Sequence, residues 1–245
     1  MRLDDAGFDH AGFDDAVARV YWARLEDRHD GLLALLDAVE RERHARYRRP
    51  ADADRFLLGA AMVRALAGAR LGCPPAAVTV DRRCDDCGKP HGKPRLPGAG
   101  LEVSVSHSGD LVGVACHPGA AVGLDVEQLD HRFDVDGLAA TVLAPQEIAS
   151  LAATAPADRL AGFLRYWTRK EALVKATGDG LRADLRSLVV TGPAEPPAVL
   201  ASGHGELTLY DLTAAPGHLG ALAMLRAAPV RVEELPATGL LRSTR

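Results

Sequence analysis

Phe163-Leu-Arg-Tyr-Trp-Thr-Arg-Lys-Glu-Ala-Leu-Val-Lys-Ala-Thr-Gly178 is the stretch from which the fold is read. Leu160, Phe163, Leu164, Trp167 and Val174 recur at helical spacing and define one apolar face. Asp158, after Pro156, supplies a cap, and Gly178 a stop. Arg165, Arg169 and Ala176 fall on the opposite face. Glu171 does not: one turn after Trp167, it projects from the apolar arc. A carboxylate buried there needs a cation, a metal or strong donors. Lys175 lies one turn further on, at the edge of the same face. A Glu–Lys pair four apart also reads as a solvated ion pair. The apolar neighbours of Glu171 favour a functional carboxylate.

The chain of 245 residues suits one large domain or two small ones. Hydrophobic content of 47%, charged content of 25% and a net charge of −4 describe an ordinary globular protein. They give no reason to expect nucleic acid or an anionic membrane as partner. The acidic start, Met-Arg-Leu-Asp-Asp, has no apolar signal core, and no apolar run is long enough to span a bilayer. Four cysteines in this length fit a reducing cytoplasm.

Outward from the helix, residues 1–15 read as an extended leader carrying Ala-Gly-Phe-Asp twice. Val17 to Trp22 reads as a first strand, and Leu32 to Val39 as a short helix. Arg41, Arg43, Arg46, Arg48 and Arg49 form a basic cluster. It is either a solvated helix face or a landing site for a phosphorylated ligand. Asp52 to Leu71 is a helix with a stripe of Phe56, Leu57, Ala60, Val63 and Leu66, ended by Gly72 and Pro74. Arg55 and Arg64 flank the stripe. Val78 to Val80 reads as a short strand.

Cys84-Asp-Asp-Cys-Gly-Lys-Pro-His91 supplies three possible zinc ligands. No second Cys or His pair completes a set of four, so the expectation is a turn-rich loop with free thiols. Lys93, after Gly92, is either a presented cation or an exposed lysine.

From Leu101 the period changes to two, and three strands follow: Leu101 to Ser106, Leu111 to Cys116 and Ala121 to Glu127. They read as a β-meander. In the third, Gly123, Asp125 and Glu127 share one face. Two carboxylates so close are relieved by a divalent ion, or are two solvated acids on a half-exposed strand. Asp134 to Ala152 is helical, with a new turn at Pro145. Beyond the organising helix, Leu188 to Val190, Leu207 to Leu212 and Leu219 to Leu225 read as strands, and the end from Ala227 as an edge segment and tail. The order helix–helix–strands occurs twice, with a seam near His117 to Val122.

Asp125, Glu127 and Glu171 are hard ligands that favour Mg²⁺ or Mn²⁺ over zinc. With Lys175 and the cations Arg43, Arg55, Lys93 and His107, they point to phosphoryl-type chemistry on a phosphorylated or pyrophosphate substrate. No Gly-x-x-x-x-Gly-Lys-Ser/Thr loop or kinase set is present, so ATP is not the obvious substrate.

Gly123-Leu-Asp-Val-Glu127, then Trp167-Thr-Arg-Lys-Glu-Ala-Leu-Val-Lys175 and Gly178-Asp-Gly-Leu181, resembles the 4'-phosphopantetheinyl transferases, in their two-halved, surfactin-type branch. Upstream, Asp54-Arg-Phe-Leu-Leu-Gly59 with Arg64, Gly92-Lys-Pro94 and Val105-Ser-His-Ser-Gly109 fall in the family's order. The resemblance implies an α+β fold of two pseudo-symmetric halves, each a small, mainly antiparallel sheet with helices. They would be residues 1–120 and 121–245, with coenzyme A in the cleft between them. The phosphopantetheine arm would move from coenzyme A to a serine hydroxyl of an acyl or peptidyl carrier protein, releasing adenosine 3',5'-bisphosphate. By position, Asp125, Glu127 and Glu171 would hold Mg²⁺ against the pyrophosphate. Glu171 would be the base, directly or through a water, and Lys175 would balance charge on the pyrophosphate. Arg43, Arg55 and His107 would contact the nucleotide phosphates, with Lys93 and Ser106 lining the site. Phe56 would pack against adenine. Glu40 stands where the family often has a basic residue. A cytoplasmic monomer is expected. The competing readings are a Mg²⁺-dependent hydrolase of coenzyme A or nucleotide diphosphates, and a non-catalytic module that binds carrier proteins or zinc.

Overall fold

Strand β1 (Val17–Arg24) follows from its alternation, and runs two residues past the expected end. The computed structural model describes residues 13–84, 86–130 and 134–242, so the repeated Ala-Gly-Phe-Asp leader lies largely outside the described residues. Two 3-10 turns, Leu25–Asp27 and Asp30–Leu35, stand where the short helix from Leu32 was expected. Helix α1 (Ala38–Ala45) starts on a capping box: Asp37 accepts from the Glu40 N–H, and Glu40 accepts from the Asp37 N–H. Helix α2 (Pro50–Leu71) has proline in its first turn and ends on Gly72 at φ 66°.

Helix α2 does not have the single stripe its sequence suggested. Every residue from Phe56 to Gly68 is buried. Arg64, expected at the flank, is fully enclosed. Its guanidinium donates to Glu40 at 2.6 Å, to Asp37 at 2.5 Å and to the Val78 carbonyl at 2.9 Å. Glu40 is therefore the interior counter-ion of Arg64, which explains an acid at a position where a basic residue was expected. Val78 to Val80 is not a strand; only Asp81 bridges, to Arg95.

Strands β2 (Glu102–Ser108) and β3 (Leu111–His117) pair antiparallel, in register from Glu102 with His117 to Ser108 with Leu111. Strand β4 (Val122–Gln128) then leaves their sheet. Helices α3 (Val135–Val142), α4 (Pro145–Ala152) and α5 (Arg159–Thr177) follow, and Gly178 ends α5 at φ 81°. Short strands β5 (Val189–Val190) and β6 (Val199–Ala201) pair with each other. Strands β7 (Thr208–Leu212) and β8 (His218–Met224) complete a sheet of order β4-β8-β7. Strand β9 (Arg231–Pro236) and helix α6 (Thr238–Arg242) close the described chain.

The fold is α+β, with small and mainly antiparallel sheets. The β-meander is corrected: β2 and β3 pair, but β4 pairs with β8. Alternation identifies a strand and its faces; it carries no information about the neighbour. The chain divides into two compact units. One runs up to Gly119 and resumes at Val230; the other is Ala120–Pro229. The expected second half thus loses its last segment. That segment is no loose tail: β9 lies parallel to β1 at the edge of the order β2-β3-β1-β9, and Leu240 and Leu241 are buried.

In the second unit α5 is enclosed on nearly every side, which corrects the polar face expected at Arg165, Arg169 and Ala176. Arg169 is fully buried, with two donors on Asp211 at 2.9 and 2.7 Å and others on the Thr191 and Gly192 carbonyls. Lys170 is fully buried against Glu147 at 2.5 Å and the Val142 and Leu185 carbonyls. Each interior charge meets its partners, and together they fix the helix against its surroundings. On the strand side, the approach is backbone to backbone. A Cβ at Gly123 would sit 1.9 Å from the Ala172 carbonyl oxygen and 2.3 Å from the Ala176 nitrogen.

Gly123→Ala should therefore push α5 off β4 and cost about 3 kcal/mol or more of stability. Urea denaturation followed by circular dichroism measures this. A cost below about 0.5 kcal/mol would contradict the close approach.

Candidate active site

The site is built where β4 faces α5. On the strand, Gly123, Asp125 and Glu127 point to the helix at intervals of about 6.7 Å. On the helix, Trp167, Glu171 and Lys175 succeed one another at intervals of about 6 Å. Two rows of such similar spacing stay in step. Trp167 Nε1 donates to Glu127 Oε1 at 3.2 Å, and Lys175 Nζ donates to Asp125 Oδ1 at 2.7 Å. Gly123 meets the helix backbone at Ala172 to Ala176. This row-on-row contact brings Asp125, Glu127, Glu171 and Lys175 together from separate parts of the sequence.

Asp125 is buried, and Glu171 and Lys175 are half-buried. Burial raises the pKa of Glu171, the negative charge of Asp125 raises it further, and Lys175 opposes both. Lys175 is thus not simply the surface partner of Glu171; its short ion pair is with Asp125. Asp125 and Glu171 are two carboxylates that repel across a partly desolvated gap, with one ammonium between them.

A hard divalent cation fits this donor set. The ligands are all carboxylate oxygens, and the repulsion at Glu171 is what such an ion relieves. Asp125 and Glu171 form the pair, and Glu127 stands next along the strand. The three do not bring one oxygen each within 4.8 Å of the others. An ion shared by all three requires side-chain rotation at this junction.

The remaining expected residues belong to the first unit. Arg43 lies over the Phe56 ring, 4.8 Å from its centroid, and reaches the Pro90 carbonyl at 3.4 Å. Tyr47 covers Phe56 as well, at 5.6 Å between centroids. Phe56 is buried beneath these two side chains, so the expected packing against adenine is corrected. Arg55 donates to the Gly109 carbonyl at 2.7 Å and to Asp52 at 2.6 Å, tying α2 to the turn after His107. His107 is exposed, Ser106 is buried, and Lys93 is half-buried. Burial lowers the pKa of Lys93, with Glu102 pulling the other way. Arg43, Arg55 and the His107 turn therefore gather around the N-terminal part of α2.

Sequence reasoning missed the use of Gly123, although a glycine inside an alternating strand is a signal for close approach. It also missed the anchors Asp211 and Glu147, which lie far along the chain from Arg169 and Lys170.

Comparison with known proteins agrees with this arrangement. A family model described as the 4'-phosphopantetheinyl transferase superfamily matches residues 121–217. A second, described as the N-terminal part of 4'-phosphopantetheinyl transferase, matches residues 20–119. The chain is 33% identical over 171 residues to the 4'-phosphopantetheinyl transferase HetI of Nostoc sp. (strain PCC 7120), covering 70% of this chain and 71% of that one. It is 29% identical over 161 residues to a 4'-phosphopantetheinyl transferase of Bacillus subtilis, covering 66% and 68%. The holo-[acyl-carrier-protein] synthase of Thermotoga maritima superimposes with a TM-score of 0.36 at 19% identity, over 44% of this chain and 65% of that chain.

The raised pKa of Glu171 has a measurable sign. Below the ordinary value of 4.5 the acid is protonated in the folded and unfolded chain alike. As pH rises from there through the raised folded value, the unfolded chain ionises more readily, and folding stability falls. Glu171→Gln removes that loss. Its stability relative to the unsubstituted protein should rise as pH climbs from about 4.5 to neutral, in buffer with chelator. Denaturant midpoints across this range check the slope; a constant difference would contradict the repulsion at Glu171.

Proposed function

This chain belongs to the 4'-phosphopantetheinyl transferases, enzymes that transfer the phosphopantetheine arm of coenzyme A to carrier proteins, and on that premise we propose that Asp125, Glu127, Glu171 and Lys175 carry its chemistry. The observation that carries the proposal is the Asp125–Lys175 ion pair beside a Glu171 whose carboxyl is driven up by Asp125. The carrier serine Oγ attacks the β-phosphorus of coenzyme A. Glu171 accepts the serine proton. A phosphorus–oxygen bond forms to serine, the pyrophosphate phosphorus–oxygen bond breaks, and adenosine 3',5'-bisphosphate leaves. Its raised pKa suits Glu171 to that proton. Lys175, held at the site by Asp125, neutralises charge on the departing phosphate.

Asp125, Glu127 and Glu171 would hold Mg²⁺ or Mn²⁺. Bound there, the ion supplies electrostatic stabilisation to the pyrophosphate. Arg43, Arg55, His107, Lys93 and Ser106 of the first unit are the proposed contacts for the nucleotide phosphates. Their gathering around α2 supports this role. In each unit a long helix lies on an antiparallel sheet, which supports the reading of two halves with a shared plan. No helix among the described residues is long and apolar enough to cross a membrane. Free thiols support a reducing, cytoplasmic setting. We propose a monomeric enzyme acting on an acyl or peptidyl carrier protein.

Incubating the protein with an apo carrier, coenzyme A and Mg²⁺ should add one phosphopantetheine mass to the carrier by intact-mass analysis. Free phosphopantetheine with an unmodified carrier would contradict the transfer. Lys175→Ala should lower the single-turnover rate by about 10²-fold or more, and Glu171→Gln should abolish detectable transfer while the protein stays folded. Unchanged single-turnover rates would remove these residues from the mechanism.

A further inference from the structure

The site described above uses hard oxygen ligands. A second cluster, in the first unit, is soft. Cys84, Cys87 and His91 each bring one ligand atom to within 4.8 Å of the other two. Cys87 Sγ and His91 Nε2 are 2.9 Å apart, and both cysteines are free thiols. In a tetrahedral zinc site, bonds of about 2.3 Å to sulfur and 2.0 Å to nitrogen put neighbouring ligand atoms about 3.5–3.8 Å apart. Small side-chain rotations bring this cluster to that spacing.

The backbone around the cluster is arranged for a metal as well. The N–H groups of Asp86 and Cys87 are directed at the Cys84 sulfur, where they stabilise a thiolate. Gly88, just after the second cysteine, turns the chain at φ 71°. Its N–H donates to the Cys84 carbonyl at 2.9 Å. Each feature serves a tight knuckle in which the chain folds back beneath its first sulfur.

The base of the knuckle is clamped. Asp81 and Arg95 exchange two backbone hydrogen bonds, of 2.9 and 2.8 Å. The Gly92 N–H donates to the Arg82 carbonyl at 2.7 Å, and the Cys84 N–H to the Lys89 carbonyl at 2.9 Å. A Cβ at Gly92 would lie 2.8 Å from the Arg83 carbonyl oxygen, so the two arms pass closely there. The expectation of an unstructured thiol loop does not account for this amount of backbone order around three convergent ligands.

We propose that Cys84, Cys87 and His91 bind Zn²⁺ through two thiolates and one imidazole, with a water-derived oxygen as fourth ligand. Zinc entry releases the two thiol protons. Ligand softness sorts the metals within one chain: zinc on the sulfur knuckle, the hard ion on the carboxylates. The knuckle also has a place in the reaction, in an argument that rests on the function proposed above. Pro90, between Cys87 and His91, offers its carbonyl to Arg43, and Lys93 follows the clamped Gly92. Zinc would fix the loop that steadies one proposed phosphate contact and presents another.

The test uses the full chain, purified without chelator or metal-affinity tag. Elemental analysis should give about one zinc per chain, falling to background in Cys84→Ser/Cys87→Ser. Metal-free protein titrated with Co²⁺ under reducing conditions should show thiolate-to-cobalt charge transfer and the visible bands of a tetrahedral ion. His91→Gln should keep the sulfur bands but weaken zinc binding by about 100-fold. This variant and the cobalt titration keep the test decisive if the double substitution fails to fold. Background zinc with no cobalt–thiolate bands would overturn the proposal, as would zinc undiminished in a folded double variant. Zinc removal should raise the KM for coenzyme A several-fold with little change in kcat. Metal bound with no change in KM would sink the link to coenzyme A and leave the knuckle standing.

Discussion

Helix α5 can carry this chemistry only because it lies on β4 with no side chain between the two backbones at Gly123. At ordinary helix–sheet separation, Lys175 would not reach Asp125, nor Trp167 Glu127. Close approach turns a strand's alternate face and a helix's successive turns into two matched rows. Carboxylates brought together this way repel, and Glu171 bears most of that strain. The same geometry that costs stability leaves a proton acceptor poised next to a lysine.

Such an arrangement has to be held in place, and the second unit does so with interior charge. Arg169 on Asp211 and Lys170 on Glu147 are adjacent residues whose partners lie on different elements. Removing either partner would strand a buried charge, at a cost of about 3–5 kcal/mol. The first unit does likewise with Arg64 between Asp37 and Glu40. Long helices here are fixed in rotation by enclosed ion pairs as much as by apolar packing.

Much of this could be read in the sequence. Helical spacing located α2 and α5, and Gly72 and Gly178 marked their ends. The catalytic candidates were found because Glu171 broke an apolar arc and Asp125 and Glu127 shared a strand face. What escaped was long-range. Periodicity places a residue on a face but does not say what covers that face, so Arg64, Arg169 and Lys170 looked like surface charges. Strand patterns do not name their neighbours, so β4 was assigned to the wrong sheet. The terminal segment was read as loose because its partner, β1, lies at the other end of the chain. The Cys84 loop looked deficient by count, and only its backbone geometry revealed an organised knuckle.

The central claim is that Asp125 and Glu171 act as one unit across the β4–α5 contact. A double-mutant cycle on Mn²⁺ binding, read by electron paramagnetic resonance with coenzyme A present, addresses it most directly. The unsubstituted protein, Asp125→Asn, Glu171→Gln and the double variant would be compared. If the two carboxylates share an ion, each single substitution removes most of the binding and the second adds little, giving a coupling energy above about 1 kcal/mol. Independent, additive losses, or full Mn²⁺ affinity in either single variant, would contradict a shared site.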